Sequence, residues 1–238
     1  MRIIRNERRI RVRSFIGQYA TMAGLLVLLA GLIVSFVKPD WLTVLVACLM
    51  AGFGLSVVGG FFADRYAGPL ARHDALETVL KGLDDSYTLL HYVLPASHVL
   101  VEPGGCTAFL VKTQGGDVSY RDGRWKHRQR GKFFRQFAGQ EGLGVPDAEA
   151  EGHMHKLERW LANLDPLDPE EEIPVRAVIV FANPEVELDA DDSPVPTFYS
   201  KKVKAWLRGP GKLKPLSEAA QRWLEEAVGA VPEEEEEE

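Results

Sequence analysis

Two stretches in the first quarter of the chain carry no Asp, Glu, Lys or Arg at all: Ser14 to Val37 and Trp41 to Ala63. At about 1.5 Å per residue, a helix over either one is long enough to cross a hydrocarbon layer about 30 Å thick. The Lys38-Pro39-Asp40 tripeptide between them reads as a turn, so the pattern predicts a transmembrane hairpin with spans at 14–37 and 41–63. A cleaved signal peptide fits worse, because its apolar stretch would run only about 7–15 residues before a small-residue cleavage site. A buried soluble hairpin fits worse still, since paired uncharged runs of this length are rare in soluble cores.

Beyond Ala71 the pattern becomes mixed. Leu76, Val79, Leu80 and Leu83 fall at helical spacing and predict an amphipathic helix. Short β-rich runs follow at Tyr87–Leu94, His98–Glu102 and Thr107–Lys112, the last two separated by the turn Pro103-Gly104-Gly105. Gly115-Gly116 marks a further turn before a short strand, Asp117–Arg121. Ala150, Met154, Leu157 and Leu161 place a helix over Asp147–Leu164, and the nearly all-apolar Val175–Phe181 reads as a strand covered on both faces. Ser200 and Ser217 are candidate N-caps for two closing helices, ending at Gly209-Pro210-Gly211 and at Gly229. The order predicts one α/β domain over 72–230.

Charge divides along the same lines. The chain has 238 residues, 46% hydrophobic, which is ample for a core and excludes collagen-like or fully disordered classes. Its net charge of -6 equals the terminal run Glu233 to Glu238 (231–238 is an acidic tail), so overall charge says little about partners. The flank at 1–13 holds Arg2, Arg5, Arg8, Arg9, Arg11 and Arg13 against Glu7 alone, which predicts a cytoplasmic N-terminus. Two spans then return everything after Asp64 to the cytoplasm. Neither span offers an ionisable group for a transport pathway, so the hairpin reads as an anchor. Small residues four apart, at Ala20 and Gly24 and at Gly52, Ser56 and Gly60, would let helices approach closely, within the hairpin or between subunits of an oligomer. Cys48 and Cys106 read as reduced thiols without a catalytic context.

The stretch Ala96-Ser97-His98-Val99-Leu100-Val101-Glu102-Pro103-Gly104-Gly105, with Phe109-Leu110-Val111-Lys112 and Gly115-Gly116 after it, resembles the NERD family, the nuclease-related domain. The likeness continues through Trp125, the helix start at Pro146 and the strand Val175–Phe181, covering about residues 72–215. It implies a restriction-endonuclease-like mixed sheet flanked by helices. It also implies a chemistry in which an Asp on one strand and a Glu two residues before a Lys on the next hold Mg²⁺, while the Lys positions water and steadies phosphate charge. At the matching positions this chain has Ser97 beside a retained His98, and Leu110 before a retained Lys112. A Gly-Glu pair on the family's first helix falls at Arg72-His73, with Asp74 adjacent, and the Gln of its Asn-Pro-x-x-Gln element falls near Glu149. Hydroxyl and isobutyl groups cannot replace carboxylates around Mg²⁺. The resemblance therefore implies a degenerate site without a cofactor, unless Glu102, Asp74 or Glu149 has migrated into it.

Two basic clusters stand apart from that site. Arg121, Arg124, Lys126, Arg128, Arg130, Lys132 and Arg135 are interleaved with Trp125, Phe133 and Phe134, and Lys201, Lys202, Lys204, Arg208, Lys212 and Lys214 form an acid-free second group. Such clusters suit nucleic acid, through counterion release and base stacking, or anionic lipid head groups, or are plain solvated faces. His153 and His155, two apart on a helix, point to different faces, and the acids from Glu185 to Asp192 read as a solvated loop. Three functions follow: a membrane-anchored, catalytically degenerate nuclease fold that binds or scaffolds; an active Mg²⁺-dependent membrane-tethered nuclease; or a structural membrane protein whose basic clusters hold lipid.

Overall fold

Both uncharged runs are helical in the computed structural model of the chain, which describes residues 1–68, 71–129, 141–164 and 172–230. Helix α1 (Glu7–Val37) begins inside the basic flank and α2 (Leu42–Tyr66) extends three residues past the second run. By length and composition both are able to cross a membrane. They belong to one of two compact units, Arg9–Ala71 with the described residues Glu141 and Gly142.

The hairpin packs on glycine at a spacing of seven. The buried residues of α1 are Ile10, Gly17, Gly24 and Gly31, and those of α2 are Gly52, Gly59 and Tyr66. A seven-residue repeat keeps one seam in contact as two helices wind left-handedly, whereas a four-residue repeat drifts across the helix surface. That is why the observed seam departs from the four-residue pattern in the sequence. A Cβ on Gly24 would lie 2.8 Å from the Gly52 carbonyl oxygen and the Ser56 nitrogen, and one on Gly59 would lie 2.5 Å from the Thr21 nitrogen. Gly24, Gly52 and Ser56 thus face the other helix of the same hairpin, and Ala20 and Gly60 are half-buried. Hydroxyls along the seam bond their own helix: Thr21 Oγ1 donates to the Gly17 carbonyl at 2.8 Å and Ser56 Oγ to that of Gly52 at 2.9 Å. Arg13 hydrogen-bonds the Tyr66 hydroxyl, and the Arg65 guanidinium lies 4.0 Å from the Phe61 ring centroid and pairs with Glu141.

The second unit comprises Met1–Arg8 with the described residues from Arg72 to Gln129 and from Leu143 onward. Its elements are β1 (Arg2–Arg5), α3 (Arg72–Leu80), β2 (Thr88–His91), β3 (His98–Glu102), β4 (Gly105–Lys112), β5 (Gly116–Arg121), β6 (Arg124–Arg128), α4 (Pro146–Ala162), β7 (Val175–Phe181), β8 (Val186–Asp189), β9 (Thr197–Tyr199), α5 (Ser200–Arg208) and α6 (Glu218–Gly229). A mixed sheet of six strands runs β1-β2-β3-β4-β7-β9, and a three-stranded sheet runs β6-β5-β8. The antiparallel β2-β3-β4 meander meets a parallel β4-β7-β9 half, and β1 adds parallel to β2.

Alternation along β4 sorts the core into layers. Phe109 and Val111 face α3 and α5 with Leu76, Leu80, Val203 and Leu207. Cys106 and Ala108 face Leu157 of α4 and Leu224 of α6, and Leu110 joins Ala150, Ile179 and Phe181. The sheet is therefore covered on both faces, as the apolar run Val175–Phe181 requires.

Several sequence readings need correction. The flank at 1–13 contains a strand that the sequence reading did not place: Arg2–Arg5 forms an edge strand in register with Thr88–His91, and Arg5 is ion-paired with Glu77. Ser200 is the first residue of α5, Tyr199 occupies the N-cap position, and no side chain caps it. The stretch from Glu185 to Asp192 is not all loop, because Val186–Asp189 pairs in parallel with β5. Ser217 does cap α6, accepting from the Ala220 nitrogen at 3.1 Å. Ser217→Ala should therefore lower stability by about 1 kcal/mol, measured by denaturant unfolding, and Ser217→Gly by only a few tenths.

Candidate functional site

Lys112 ends β4 on the side facing α4, where the strand delivers it into the core with 1% of its side chain exposed. Its Nζ lies 2.8 Å from Glu149 Oε2 and donates to the Leu143 carbonyl at 2.9 Å. Burying an ammonium costs several kcal/mol unless it is paired and hydrogen-bonded, and both conditions are met. Glu149 stands in the first turn of α4, behind Pro146 at the helix start, where the helix dipole favours a carboxylate. Gly144 leads into this helix at φ +69°, and a Cβ there would come within 2.2 Å of Glu149 Oε1. Glycine at that position serves both the left-handed backbone and the space for the carboxylate.

Of the three acids considered as replacements, Glu149 is the one that reaches Lys112. Glu102 lies at the opposite end of β3, buried, 2.8 Å from Arg176 Nη2 and hydrogen-bonded by Thr107. Arg176 in turn lies 4.5 Å from the Trp206 ring centroid, so Glu102 belongs to a separate structural network. Asp74 is exposed on α3, 3.3 Å from Arg5 Nη2 and 3.5 Å from His73 Nε2. Leu110 is packed in an apolar cluster with Val118, Leu143, Ala150 and Ile179. Ser97 precedes β3, half-buried, and its carbonyl accepts from the Tyr92 nitrogen at 2.8 Å. No group of three or more His, Cys, Asp or Glu side chains among the described residues is placed to hold a metal ion.

His98 joins a cluster of imidazoles that the sequence reading did not assemble. Its Nδ1 lies 2.8 Å from Nδ1 of His91, its cross-strand partner at the mouth of the β2–β3 connection. His91 Nε2 lies 3.3 Å from Glu77 Oε1, and Glu77 is bound by Arg5 with Nε at 2.6 Å and Nη2 at 2.5 Å. Burial alone would push the Glu77 carboxyl up, but His91 and the hydrogen bonds from Arg5 outweigh it and hold it at about 2. Burial pushes His98 well below the ordinary histidine range, reinforced by His91, Arg72, His153 and His73. Burial likewise lowers His73 and His153. The neighbouring β-rich runs Tyr87–Leu94 and His98–Glu102 were legible, but the register that pairs His91 with His98 was not, because the first strand ends at His91 and not at Leu94. On α4, His153 is half-buried while His155 is exposed and lies 2.8 Å from Glu158, in keeping with different faces.

The first basic cluster becomes a charge-balanced sheet face. Along β6, Arg124, Lys126 and Arg128 point outward, while Trp125 turns inward, 5.1 Å from the Tyr120 ring and 6.2 Å from that of Phe181. Trp125 is therefore a packing residue and not a free stacking platform. The rungs set Arg128 against Asp117 and Glu187, and Lys126 against Ser119 and Asp189. Arg121 is ion-paired with Asp189, and Lys126 lies 3.9 Å from Asp122. Four cations here (Arg121, Arg124, Lys126, Arg128) meet four acids (Asp117, Asp122, Glu187, Asp189) in a cleft and its adjoining turn. Arg130, Lys132 and Arg135, with Phe133 and Phe134, lie outside the described residues.

The second cluster divides in two. Lys204 Nζ donates to the Lys81 carbonyl at 2.7 Å and Arg208 donates to that of Gly82, so both hold the carbonyls just past the end of α3, where cations are favoured. Lys201, Lys202, Lys212 and Lys214 are exposed. Cys48 and Cys106 are free thiols, and burial pushes Cys106 up to about 12, with Glu102 adding to the shift, so it is unreactive at neutral pH. No family model, curated protein or solved structure matches the chain.

Proposed function

We propose that the chain is a membrane-anchored domain of NERD-like, restriction-endonuclease-like fold in which the metal-dependent centre has given way to an ion pair. It acts at the cytoplasmic face as a binding or scaffolding module. The observation that carries this reading is the Lys112–Glu149 contact at 2.8 Å, with Leu110 in the apolar core beside it. The resemblance puts a neutral Gln near position 149. A lysine that has lost its metal-binding neighbours needs a counter-charge of its own, and Glu149 supplies it. The engagement of Glu102 by Arg176, and of Asp74 by Arg5 and His73, supports the same reading.

Connectivity supports the topology. β1 precedes α1 and α3 follows α2, and both belong to the same folded unit, so a hairpin that crosses the bilayer leaves and returns on one side. The basic flank assigns that side to the cytoplasm. Charge balance on the β6-β5-β8 face weighs against nucleic acid as its partner. Exposed Arg8 and Arg11, directly before the uncharged run, favour anionic lipid head groups instead, at about 1 kcal/mol each.

The test uses the full chain in neutral-lipid nanodiscs, incubated with single- and double-stranded DNA and RNA in Mg²⁺ or Mn²⁺. No cleavage is expected, and little salt-dependent binding. Cleavage that disappears in Lys112→Ala would establish the active nuclease in place of this reading.

A further inference from the structure

The imidazole cluster at the β2–β3 connection contains more titratable groups than packing requires, and its hydrogen bonding is incomplete in a specific way. At 2.8 Å, the two Nδ1 atoms of His91 and His98 share a single proton. Ionised Glu77, 3.3 Å from His91 Nε2, favours an N–H on that nitrogen through its charge, although the two are not aligned as a hydrogen bond. In the tautomer with the His91 proton on Nε2, His91 Nδ1 is the acceptor, His98 Nδ1 the donor, and His98 Nε2 a bare lone pair. That Nε2 is buried with no hydrogen-bond partner among the described residues. The groups facing the pair come from every element packed against it: Arg5 from β1; Arg72, His73, Asp74 and Glu77 from α3; Tyr92 from the connection; and His153 from α4. The two carboxylates serve His91 and His73. The groups acting on His98 are the Arg72 guanidinium and the imidazoles of His91, His153 and His73, so a proton added at Nε2 would place a buried charge near a fixed cation, on a nitrogen with no hydrogen-bond partner among the described residues.

The same connection is closed by one backbone hydrogen bond, Tyr92 nitrogen to the Ser97 carbonyl at 2.8 Å, and Tyr92 is held at φ +60°. A bulky residue in the left-handed region stores strain that the surroundings must hold in place. The Tyr92 and His98 rings lie 4.9 Å apart, edge to face, so the strained residue rests on the ring that resists protonation.

We propose that the Tyr92–Ser97 connection is a latch, closed at neutral pH while His98 is neutral and released when His98 takes up a proton. This rests on the cluster alone and stands whether or not the domain is nuclease-related. The sign follows from linkage. The closed form binds the proton more weakly than an open form in which His98 meets water. Closure is thus complete above about pH 6.5, the ordinary histidine value, and is lost as pH falls below it, by up to about tenfold per pH unit for one proton.

Hydrogen exchange of the full chain in nanodiscs, corrected for the intrinsic pH dependence of exchange, tests it. Between pH 6.5 and 5.5 the opening equilibrium of amides from Tyr92 to His98 should rise about fivefold, while amides in β4 and β7 stay protected. His98→Gln should abolish the response, and His155→Gln, at an exposed position, should keep it. If His98→Gln does not fold, ¹⁵N-histidine spectra of the wild-type chain give the answer: His98 should stay neutral for as long as the connection is protected. Equal protection at both pH values overturns the proposal. So does an unchanged response in His98→Gln, or a His98 that titrates normally inside a protected connection.

Discussion

Glu149→Ala should lower the stability of the sheet unit by about 3 kcal/mol, because it leaves the Lys112 ammonium buried with its carboxylate partner removed. The figure sits at the low end of the range for broken buried pairs, since Glu149 keeps 39% of its side chain exposed. For a unit of this size that corresponds to a fall in Tm of roughly 6–12 °C. Lys112→Met combined with Glu149→Leu should recover most of the loss, because an apolar pair of similar volume removes the desolvation cost along with the attraction. Thermal unfolding of Lys112→Met, Glu149→Leu and the double variant measures the coupling directly. A lysine kept for chemistry behaves differently: its replacement by Met would spare stability while removing activity. A coupling near zero would show that the ion pair does not hold the site together.

Gly24→Leu should force the two apolar helices apart. The new side chain would meet the Gly52 carbonyl and the Ser56 nitrogen, and neither backbone atom can move aside without shifting its helix. Overpacking of this kind costs about 1–3 kcal/mol where side chains can adjust, and more against backbone. Gly54→Leu is the matched control, since nothing lies within 4 Å of a Cβ there. Spin labels at exposed Tyr19 and Val58, near the level of the Thr21–Gly59 contact, report the separation. The distance distribution should broaden and lengthen by several Å in Gly24→Leu, on the order of the extra side-chain diameter, and stay unchanged in Gly54→Leu. Equal behaviour of the two variants would show that the heptad glycines do not set the seam.

The apolar helices were legible in the sequence because an uncharged run of this length has few other physical solutions. The strands His98–Glu102 and Val175–Phe181, the Pro103-Gly104-Gly105 turn and the Ser217 cap were legible for a similar reason, each being specified by residues close in sequence. β1 was not, because Arg2–Arg5 has no strand signature of its own and is a strand only through its parallel register with Thr88–His91. β6 was hidden inside a charge cluster. Arg124, Lys126 and Arg128 alternate with Trp125 and His127, and half of the opposing acids, Glu187 and Asp189, come from β8, far along the chain. Charge summed along a segment cannot anticipate neutralisation by a strand that pairs from far away.

The candidate site divides the same way. The sequence marked Lys112 and His98 and, through the resemblance, Ser97 and Leu110 as positions where the proposed family would carry acids, because those are statements about residue identity. Among Glu102, Asp74 and Glu149, only the tertiary structure decided. Strand direction carries Glu102 to the far end of β3, α3 presents Asp74 to solvent and Arg5, and the start of α4 brings Glu149 onto Lys112. The imidazole cluster is likewise tertiary, since His91 and His98 meet through a hairpin while Glu77 and Arg5 arrive from a helix and an edge strand. Residue type and local pattern fix what each group can do. Which charges meet, and so which of those capacities is used, depends on contacts between segments distant in the chain.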